Sequence, residues 1–274
     1  MATTSTPERR KLFIRKLLAW YRRAARDLPW RATRNPYAIL VSEFMLQQTQ
    51  VRRVLEFYPK FLKRFPTLYD LARSRPRAVM EAWDGLGYYA RARNLHALAR
   101  DVIRRYDGTL PDATEELQKL PGVGRYTAGA VACFAYEKPV PTVDTNVKRV
   151  LERAFAPKDV WELAAAIMPR DGKTAWKFNQ ALMELGALVC PARKPKCPEC
   201  PVRAECRLGS KQSAGQKRQQ RKHAGGRPKK RLPAPEFREA VARMTREAEE
   251  EIRRTMPKKI PPQGNPLPPE KMHA

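Results

Sequence analysis

The sequence predicts an all-α protein, because apolar residues recur at helical spacing along most of the chain and helix-starting and helix-ending residues bound these runs. No segment shows the alternation expected of a strand, and no internal repeat is found. The first helix is predicted over residues 8–26, before Leu28-Pro29-Trp30. Asn35 and Pro36, an N-cap residue followed by proline at the first helical position, then predict a helix that runs to about Gln47.

The remaining helices are predicted between residues 51 and 188. Their ranges are 51–64, 68–74, 76–83, 90–106, 114–120, 125–135, 145–155, 160–168 and 174–188. Gly108 and Pro111 mark the end of the helix over 90–106, since glycine favours a helix C-terminus and proline cannot continue a helix. At 274 residues the chain can hold one sizeable core or two smaller ones.

The chain is strongly basic, with 55 Lys and Arg against 28 Asp and Glu, a net charge of +27. This excess predicts a polyanionic partner, with nucleic acid as the first candidate and an anionic membrane surface as the alternative. The apolar stretches are short and broken by charges, so no membrane span is expected, and the N-terminus lacks a secretory signal pattern. A cytoplasmic location is expected (nuclear or organellar in a eukaryote), where the five cysteines would not pair as disulfides.

The composition changes sharply after Leu208. Residues 209–235 contain nine Lys or Arg and no acidic residue, and Gly, Gln and Ser are frequent among them. We therefore predict that residues 209–274 form a basic, low-complexity and largely disordered tail, with one helix over 236–256. The rest of the chain is basic without the tail, so its affinity for a polyanion is not expected to depend on it.

Residues 120–125, LPGVGR, predict a hairpin between two helices. Pro121 ends the first helix, and Gly122 and Gly124 let the backbone take positive φ and approach a ligand closely. The second helix opens at Arg125 with unpaired N–H groups and the positive end of its dipole, which suits an anion such as a DNA phosphate. Taken alone, the same pattern also fits a plain corner between two helices.

A compact loop near the end of the helical region carries cysteines at the spacing C-x6-C-x2-C-x5-C: Cys190, Cys197, Cys200 and Cys206. Four thiolates at this spacing can surround zinc or an iron–sulfur cluster. Zinc ribbons usually pair two knuckles across a longer gap, so the single loop favours a [4Fe–4S] cluster. Four unrelated free cysteines are the remaining alternative. The fifth cysteine, Cys133, lies among apolar residues and is predicted to be a core thiol.

The hairpin, an aspartate about twenty residues after it (Asp144) and the cysteine loop together resemble the helix-hairpin-helix DNA glycosylases, in the iron–sulfur branch that includes endonuclease III. Within that branch, stretches of the chain are similar to adenine DNA glycosylases of the MutY type: LPWR at 28–31, SEFMLQQTQV at 42–51, GLGYYARARNLHALAR at 85–100 and VDTNVKRV at 143–150. The similarity covers residues 20–208. It implies a two-lobed fold, with a helical barrel lobe over 35–140 and a cluster lobe made of 1–34 and 141–208.

The resemblance implies that Glu43 is the general acid, that Asp144 lies beneath the sugar, and that Tyr126 stands in the active site. Cleavage of a purine N-glycosidic bond needs a proton on the base and a carboxylate near the oxocarbenium-like sugar. Glu43 lies on an apolar helix that would raise its pKa, whereas Asp144 precedes a helix whose N-terminus would keep it anionic. Without the resemblance, a glutamate on a helix is usually a solvated surface charge, and an aspartate before a helix is usually a simple N-cap.

The resemblance also implies how DNA is bound, with the target base extruded into the cleft. Contacts to the DNA fall on the hairpin residues Leu120, Gly122, Val123, Gly124 and Arg125. The wedge residues that fill the space left by the base are Gln48 and Tyr88. The resemblance is weaker for Trp30, Arg31 and Asn146, which it places in the base pocket and beside the sugar. The alternatives are a polar helix end for Gln48 and ordinary packing for the aromatic residues.

Tyr126 also bears on the type of reaction, since lyase members of the branch carry lysine at this position and attack the sugar through its amine. We therefore expect a monofunctional, monomeric DNA glycosylase that removes mispaired adenine, opposite guanine or 8-oxoguanine, from double-stranded DNA and leaves an abasic site. The resemblance does not extend to the second, MutT-like domain common in adenine glycosylases. The alternatives are a thymine or uracil mismatch glycosylase, a non-catalytic DNA-binding iron–sulfur protein, and a zinc-stabilised nucleic-acid chaperone.

Overall fold

The computed structural model describes residues 6–210, and within this range the protein is helical and contains no strand. The α-helices are α1 (Pro7–Ala24), α2 (Pro36–Leu46), α3 (Val51–Arg64), α4 (Leu68–Arg73), α5 (Pro76–Trp83), α6 (Ala90–Tyr106), α7 (Thr114–Leu117), α8 (Arg125–Tyr136), α9 (Thr145–Phe155), α10 (Val160–Ala166) and α11 (Gly172–Leu188). Short 3₁₀ turns occupy Pro29–Arg31 and Cys197–Glu199. Gly209 and Ser210, which the sequence assigns to the disordered tail, are helical together with residues 207 and 208. The rest of the predicted tail, with the helix predicted over 236–256, lies outside the described range.

Most helix starts are fixed by side-chain caps, as the sequence predicts for α2. The Asn35 side chain accepts a hydrogen bond from the Ala38 amide, and Pro36 follows at the first helical position. Helix α11 begins at Gly172, earlier than predicted, because the Asp171 side chain caps it by accepting from the amide of Thr174. The sequence predicts a first helix that reaches residue 26, but α1 ends at Ala24, and the chain turns so that the guanidinium and amide of Arg26 both donate to Glu184.

The first hydrophobic core surrounds α2. Its residues from Tyr37 to Met45 are all buried, and the helix packs against α3, α6 and α8. A helix that is apolar on all faces belongs in the middle of a core. Any polar side chain on α2 is therefore held away from water, and this applies to Glu43.

The second core is built from α1, α9, α10 and α11, around side chains such as Phe13, Leu151 and Phe178. The two cores correspond to the two lobes of the predicted fold class. Leu28 and Trp30 lie in the first core, although the predicted lobe boundary at residue 34 assigns them to the second lobe. Among residues 6–210, no helix is long and apolar enough to cross a membrane.

The segment that connects the lobes, residues 137–144, is held on both sides. On α11, Asn179 donates to the Val140 carbonyl and accepts from the Thr142 amide, and it is almost fully buried. On α8, Gly129 lies so close that a Cβ atom there would stand 2.7 Å from the Pro141 carbonyl oxygen. This packing sets the path of the chain into Asp144.

We expect Gly129→Ala to destabilise the protein. In an open helix position, alanine would stabilise by about 1 kcal/mol relative to glycine. Here the methyl group must push the Pro141 main chain away, and overpacking of this kind costs about 1–3 kcal/mol. Urea unfolding would measure the difference, and an increase in stability would show that the connecting segment moves freely.

Candidate active site

Glu43 is a carboxyl enclosed in the first core, with 4% of its surface exposed. Its Oε2 atom is buried and has no hydrogen-bond partner among residues 6–210. Burial raises the pKa of Glu43 from its ordinary 4.5 to about 7. Hydrogen bonding from the Tyr126 hydroxyl opposes this rise, the charge of Asp144 adds to it, and the charge of Arg31 opposes it. The group is therefore poised to hold or lose a proton near neutral pH.

Asp144 caps α9 and is held at both carboxyl oxygens. Its Oδ1 accepts from the Val147 amide at 2.6 Å, and its Oδ2 accepts from the Asn146 side-chain amide at 3.0 Å. Arg149 donates to Asn146 Oδ1 at 2.7 Å, and this contact turns the amide nitrogen of Asn146 toward Asp144. Arg149 also donates to the carbonyls of Gly186 and Cys190, so the orientation of Asp144 is tied to the start of the cysteine loop.

Tyr126 lies in the first turn of α8, directly after the hairpin. Its pKa is well above the ordinary value because of burial, and the charges of Glu43 and Asp144 raise it further. The hydroxyl therefore stays protonated and acts as a hydrogen-bond donor. Tyr126 forms a hydrogen bond with Glu43, and the charge of Asp144 acts on both groups, so side chains from α2, α8 and the N-cap of α9 lie within electrostatic range of one another.

Arg31 lies beside this site and is bound by α11. Its guanidinium donates to Glu184 Oε2 and Gln180 Oε1, each at 2.7 Å. Glu184 has no exposed side-chain surface and also pairs with Arg26 at 2.6 Å. Burial opposes ionisation of Glu184, but the two arginines outweigh it and the pKa of Glu184 lies below its ordinary value.

Trp30, the residue before Arg31, is buried as well and packs edge-on against Tyr58 with ring centroids 5.5 Å apart.

The sequence reasoning missed Gln180 and Glu184. The signal was available, because Glu184 stands in the apolar segment LMELGAL of α11 just as Glu43 stands in α2. A carboxyl at a position where helical periodicity demands an apolar residue indicates a buried charge with a partner. What the pattern does not contain is the identity of the partner.

The hairpin between α7 and α8 exposes its main chain more than its side chains. Leu120 and Val123 are buried in the first core, whereas Gly122, Gly124 and Arg125 are exposed. A contact of Leu120 or Val123 with DNA would therefore have to use main-chain atoms. Gly122 has φ +75°, and a Cβ there would lie 2.8 Å from Asn94 Cβ, so both conformation and space require glycine. The guanidinium of Arg125 stacks on the ring of Trp161, 4.0 Å from its centroid.

The proposed wedge residues stand on two exposed turns. Gln48 follows α2 and Tyr88 follows α5, and both side chains are exposed, Tyr88 by 59%. Both residues have left-handed backbone conformations, with φ of 55° and 49°. Gly85 and Gly87, also at positive φ, shape the turn that presents Tyr88.

The cysteine loop encloses a space of its own. Cys190, Cys197, Cys200 and Cys206 line one cavity that opens to solvent, together with apolar side chains and Arg153. Arg153 donates to Cys190 Sγ at 3.3 Å and to the carbonyls of Pro191 and Ala192. No group of three or more His, Cys, Asp or Glu within residues 6–210 is placed to hold a single metal ion.

Three of the loop thiols, those of Cys197, Cys200 and Cys206, are disfavoured as thiolates unless a cation is bound. Burial is the largest cause, and it raises the pKa of Cys200 to about 12 and that of Cys197 and Cys206 above the ordinary value. Cys133 lies apart in the first core, where Asn179 donates to its Sγ at 3.2 Å. Burial raises the pKa of Cys133 to about 11, so it behaves as the predicted core thiol.

Comparisons with known proteins agree with this architecture. The family model described as "HhH-GPD superfamily base excision DNA repair protein" matches residues 41–168. The adenine DNA glycosylase of Mycobacterium tuberculosis is 49% identical over 197 residues, which cover 68% of this chain and 64% of that protein. The chain thus spans less than two thirds of the length of this relative.

Alignments with solved structures agree with this family match. A thermostable thymine-DNA glycosylase aligns with a TM-score of 0.71 and 35% identity, over 76% of this chain and 99% of that one. Endonuclease III in a non-covalent complex with DNA aligns with a TM-score of 0.66 and 28% identity, over the same shares of the two chains. The chain belongs to the HhH-GPD superfamily of base excision DNA repair proteins.

Glu43→Gln should stabilise the protein at alkaline pH. Because the pKa of Glu43 is about 7 in the folded state and 4.5 ordinarily, the folded state keeps its proton to higher pH than the unfolded chain. The stability that this group supplies is complete below pH 4.5 and is lost as the pH rises through 7. The amide does not ionise, so the variant should gain on the order of 3 kcal/mol over the parent at pH 8.

Urea unfolding of the parent and of Glu43→Gln at pH 5 and pH 8 would test this. The gain should be present at pH 8 and largely absent at pH 5. Glu152→Gln, on the exposed face of α9, is the matched control and should show no such pH dependence. A constant difference between parent and Glu43→Gln at both pH values would contradict the raised pKa.

Proposed function

We propose that this protein is a monofunctional DNA glycosylase of base excision repair. It extrudes adenine mispaired with guanine or 8-oxoguanine from double-stranded DNA and hydrolyses its N-glycosidic bond, leaving an abasic site. The observation that carries this proposal is the meeting of a buried carboxyl near its titration point, Glu43, with a carboxylate fixed at both oxygens, Asp144. The 49% identity to an adenine DNA glycosylase supports adenine as the base.

In this mechanism Glu43 gives its proton to a ring nitrogen of the extruded adenine. Its unpartnered Oε2 is the atom that can face the base, and the low polarity around α2 keeps the carboxyl protonated near neutral pH. The bond between the base and sugar C1′ then breaks, and its electron pair leaves with the protonated base. Asp144 stabilises the positive charge that develops on the sugar. Water adds to C1′ and returns a proton to the ionised Glu43.

Tyr126 supports hydrolysis rather than strand cleavage. A lyase needs an amine that forms a covalent bond with C1′, and the corresponding side chain here is a phenol whose raised pKa keeps it protonated. Its role is to donate a hydrogen bond to Glu43 and hold that carboxyl in place. The product is therefore an intact strand with an abasic site.

The cysteine loop is proposed to hold a [4Fe–4S] cluster. Four thiols line one shared cavity, and α9 binds the loop through Arg149 and Arg153, so the donor set fits a cluster. When bound, the cluster supplies the cross-link that orders this loop. Because Arg149 also contacts Asn146, a fixed loop helps to hold Asp144 in its orientation.

DNA is the partner, bound by the basic chain at the hairpin and at the two turns that carry Gln48 and Tyr88. We propose that the protein acts as a monomer wherever the cell keeps its DNA, which is the cytoplasm in a bacterium. The second candidate is a thymine or uracil mismatch glycosylase, favoured by the alignment with the thymine-DNA glycosylase structure at 35% identity.

Duplexes carrying A:8-oxoguanine, A:G, T:G and U:G pairs would identify the base. We expect abasic sites, revealed by alkali, with the two adenine pairs only, and no strand nicking without alkali. Glu43→Gln and Asp144→Asn should each lower the rate by at least roughly 10³-fold, because each removes a group needed in the transition state, while DNA binding survives. Release of thymine or uracil would favour the second candidate, and an active Glu43→Gln/Asp144→Asn double variant would exclude the mechanism.

Purified protein should be brown and contain iron and acid-labile sulfide in equal amounts. Cys200→Ala should lose the visible absorbance and most of the iron, because it removes one of the ligands. Cys133→Ala, at the cysteine in the first core, is the control and should keep both. Colourless protein that contains one zinc per chain would contradict the cluster.

A further inference from the structure

Arg91, the second residue of α6, is a buried cation of which only 7% is exposed. Among residues 6–210, no carboxylate forms an ion pair with it. Burial lowers its pKa. A buried charge is costly unless polar groups surround it, so the contacts of this guanidinium indicate why it is there.

One side of the Arg91 guanidinium binds the end of α2. Its Nη1 donates to the carbonyls of Phe44 at 2.9 Å and Met45 at 2.7 Å, and also to that of Gln47. These carbonyls lie at the C-terminus of the helix, where they lack partners within it and the dipole is negative. Its Nη2 donates to Thr49 Oγ1 at 3.0 Å. The contacts with Gln47 and Thr49 lie on either side of Gln48.

The other side of the guanidinium binds the turn after α5. Nη2 donates to the carbonyls of Leu86 at 3.3 Å and Gly87 at 3.0 Å, and Nε donates to that of Tyr88 at 3.4 Å. The guanidinium also packs over the ring of Tyr88, 5.5 Å from its centroid. One side chain therefore binds both turns that carry the wedge residues.

Gln48 and Tyr88 both have the left-handed conformation that residues other than glycine rarely adopt. Such residues persist when the surrounding structure holds them there. The hydrogen bonds of Arg91 supply this restraint for both turns at the same time. A lysine could not replace it, because an ammonium group has no planar fork to reach two separate sets of carbonyls.

We propose that Arg91 is a positioning residue that fixes the spacing of Gln48 and Tyr88, so that the two side chains act as one unit when the base is extruded. This inference rests on the proposed function, because it assumes that both side chains enter the DNA. Arg91 itself is enclosed beneath the two turns and does not touch the base. It acts through the geometry of the two wedge residues.

The test is a double-mutant cycle on base extrusion. Gln48→Ala, Tyr88→Ala and the double variant are compared by the fluorescence of 2-aminopurine in a mismatched duplex, first in the parent and then with Arg91→Lys. In the parent, we expect the effect of the double variant on extrusion to differ from the product of the two single-variant effects by about fivefold or more. In the Arg91→Lys background, the effect of the double variant should equal that product. Arg91→Lys alone should slow extrusion on the order of tenfold.

A purely structural role for Arg91 would confine the extrusion defect of Arg91→Lys to temperatures near the melting point of the variant. The positioning role predicts instead that the defect persists at temperatures well below the melting point. It also predicts an unchanged pH profile of base excision, since Glu43 is untouched. Arg93→Lys, on the exposed surface of the same helix, is the matched control and should extrude like the parent. Coupling between Gln48 and Tyr88 that survives in Arg91→Lys would overturn the proposal.

Hydrogen exchange on the parent protein gives a test that needs no variant. If Arg91 joins the two turns, the amides of residues 47–49 and 86–88 should open in one event and exchange with the same opening free energy. Independent opening would overturn the proposal even if Arg91→Lys fails to fold. A parent that extrudes 2-aminopurine with coupled wedges but releases no adenine would contradict the proposed function and leave this inference standing.

Discussion

The enclosure of one carboxyl, that of Glu43, is the constraint on which the rest of the structure depends. A carboxyl in the middle of a core opposes folding whenever it is ionised. The helices around α2 must therefore supply enough apolar burial to keep it there, and the first core does so with aromatic and aliphatic residues on all sides. What the protein obtains is an acid whose pKa of about 7 lies far above that of a surface glutamate. A solvated position would give a carboxylate with no proton to donate.

The site exists only where the two cores meet. Glu43 and Tyr126 come from helices of the first core, and Asp144 begins a helix of the second. Their mutual placement depends on the connecting segment that Asn179 and Gly129 hold in place. A small shift of one lobe against the other would separate the acid from the carboxylate without disturbing either core. The rigidity of this connection therefore matters as much as the identity of the side chains.

Sequence reasoning is successful where the physics is local. The Asn35-Pro36 start of α2 and the bounds of α3, α5, α6 and α9 follow from periodicity and capping, which act over a few neighbouring residues. The raised pKa of Glu43 follows from the apolar run around it, without knowledge of its partners.

The partners of buried charges could not be predicted in this way. Nothing near Arg91 in the chain indicates that it binds the carbonyls at the end of α2, and nothing near Glu184 points to Arg26 and Arg31. These contacts join residues that are far apart in sequence, so local patterns carry no trace of them. The burial of the Leu120 and Val123 side chains in the first core could not be predicted from local patterns either, since the hairpin itself is exposed.

The salt bridge of Glu184 has an effect beyond its own helix. Arg31 is close enough to Glu43 for its charge to lower the pKa of that carboxyl, in opposition to the larger effect of burial. Glu184 binds Arg31 and Arg26 together, and its negative charge attenuates the field that Arg31 projects toward α2. The protein thereby keeps a cation near Glu43 whose charge is partly offset by a buried carboxylate. Two glutamates buried in different helices thus interact with the same guanidinium, because Glu184 pairs with Arg31 and the charge of Arg31 lowers the pKa of Glu43.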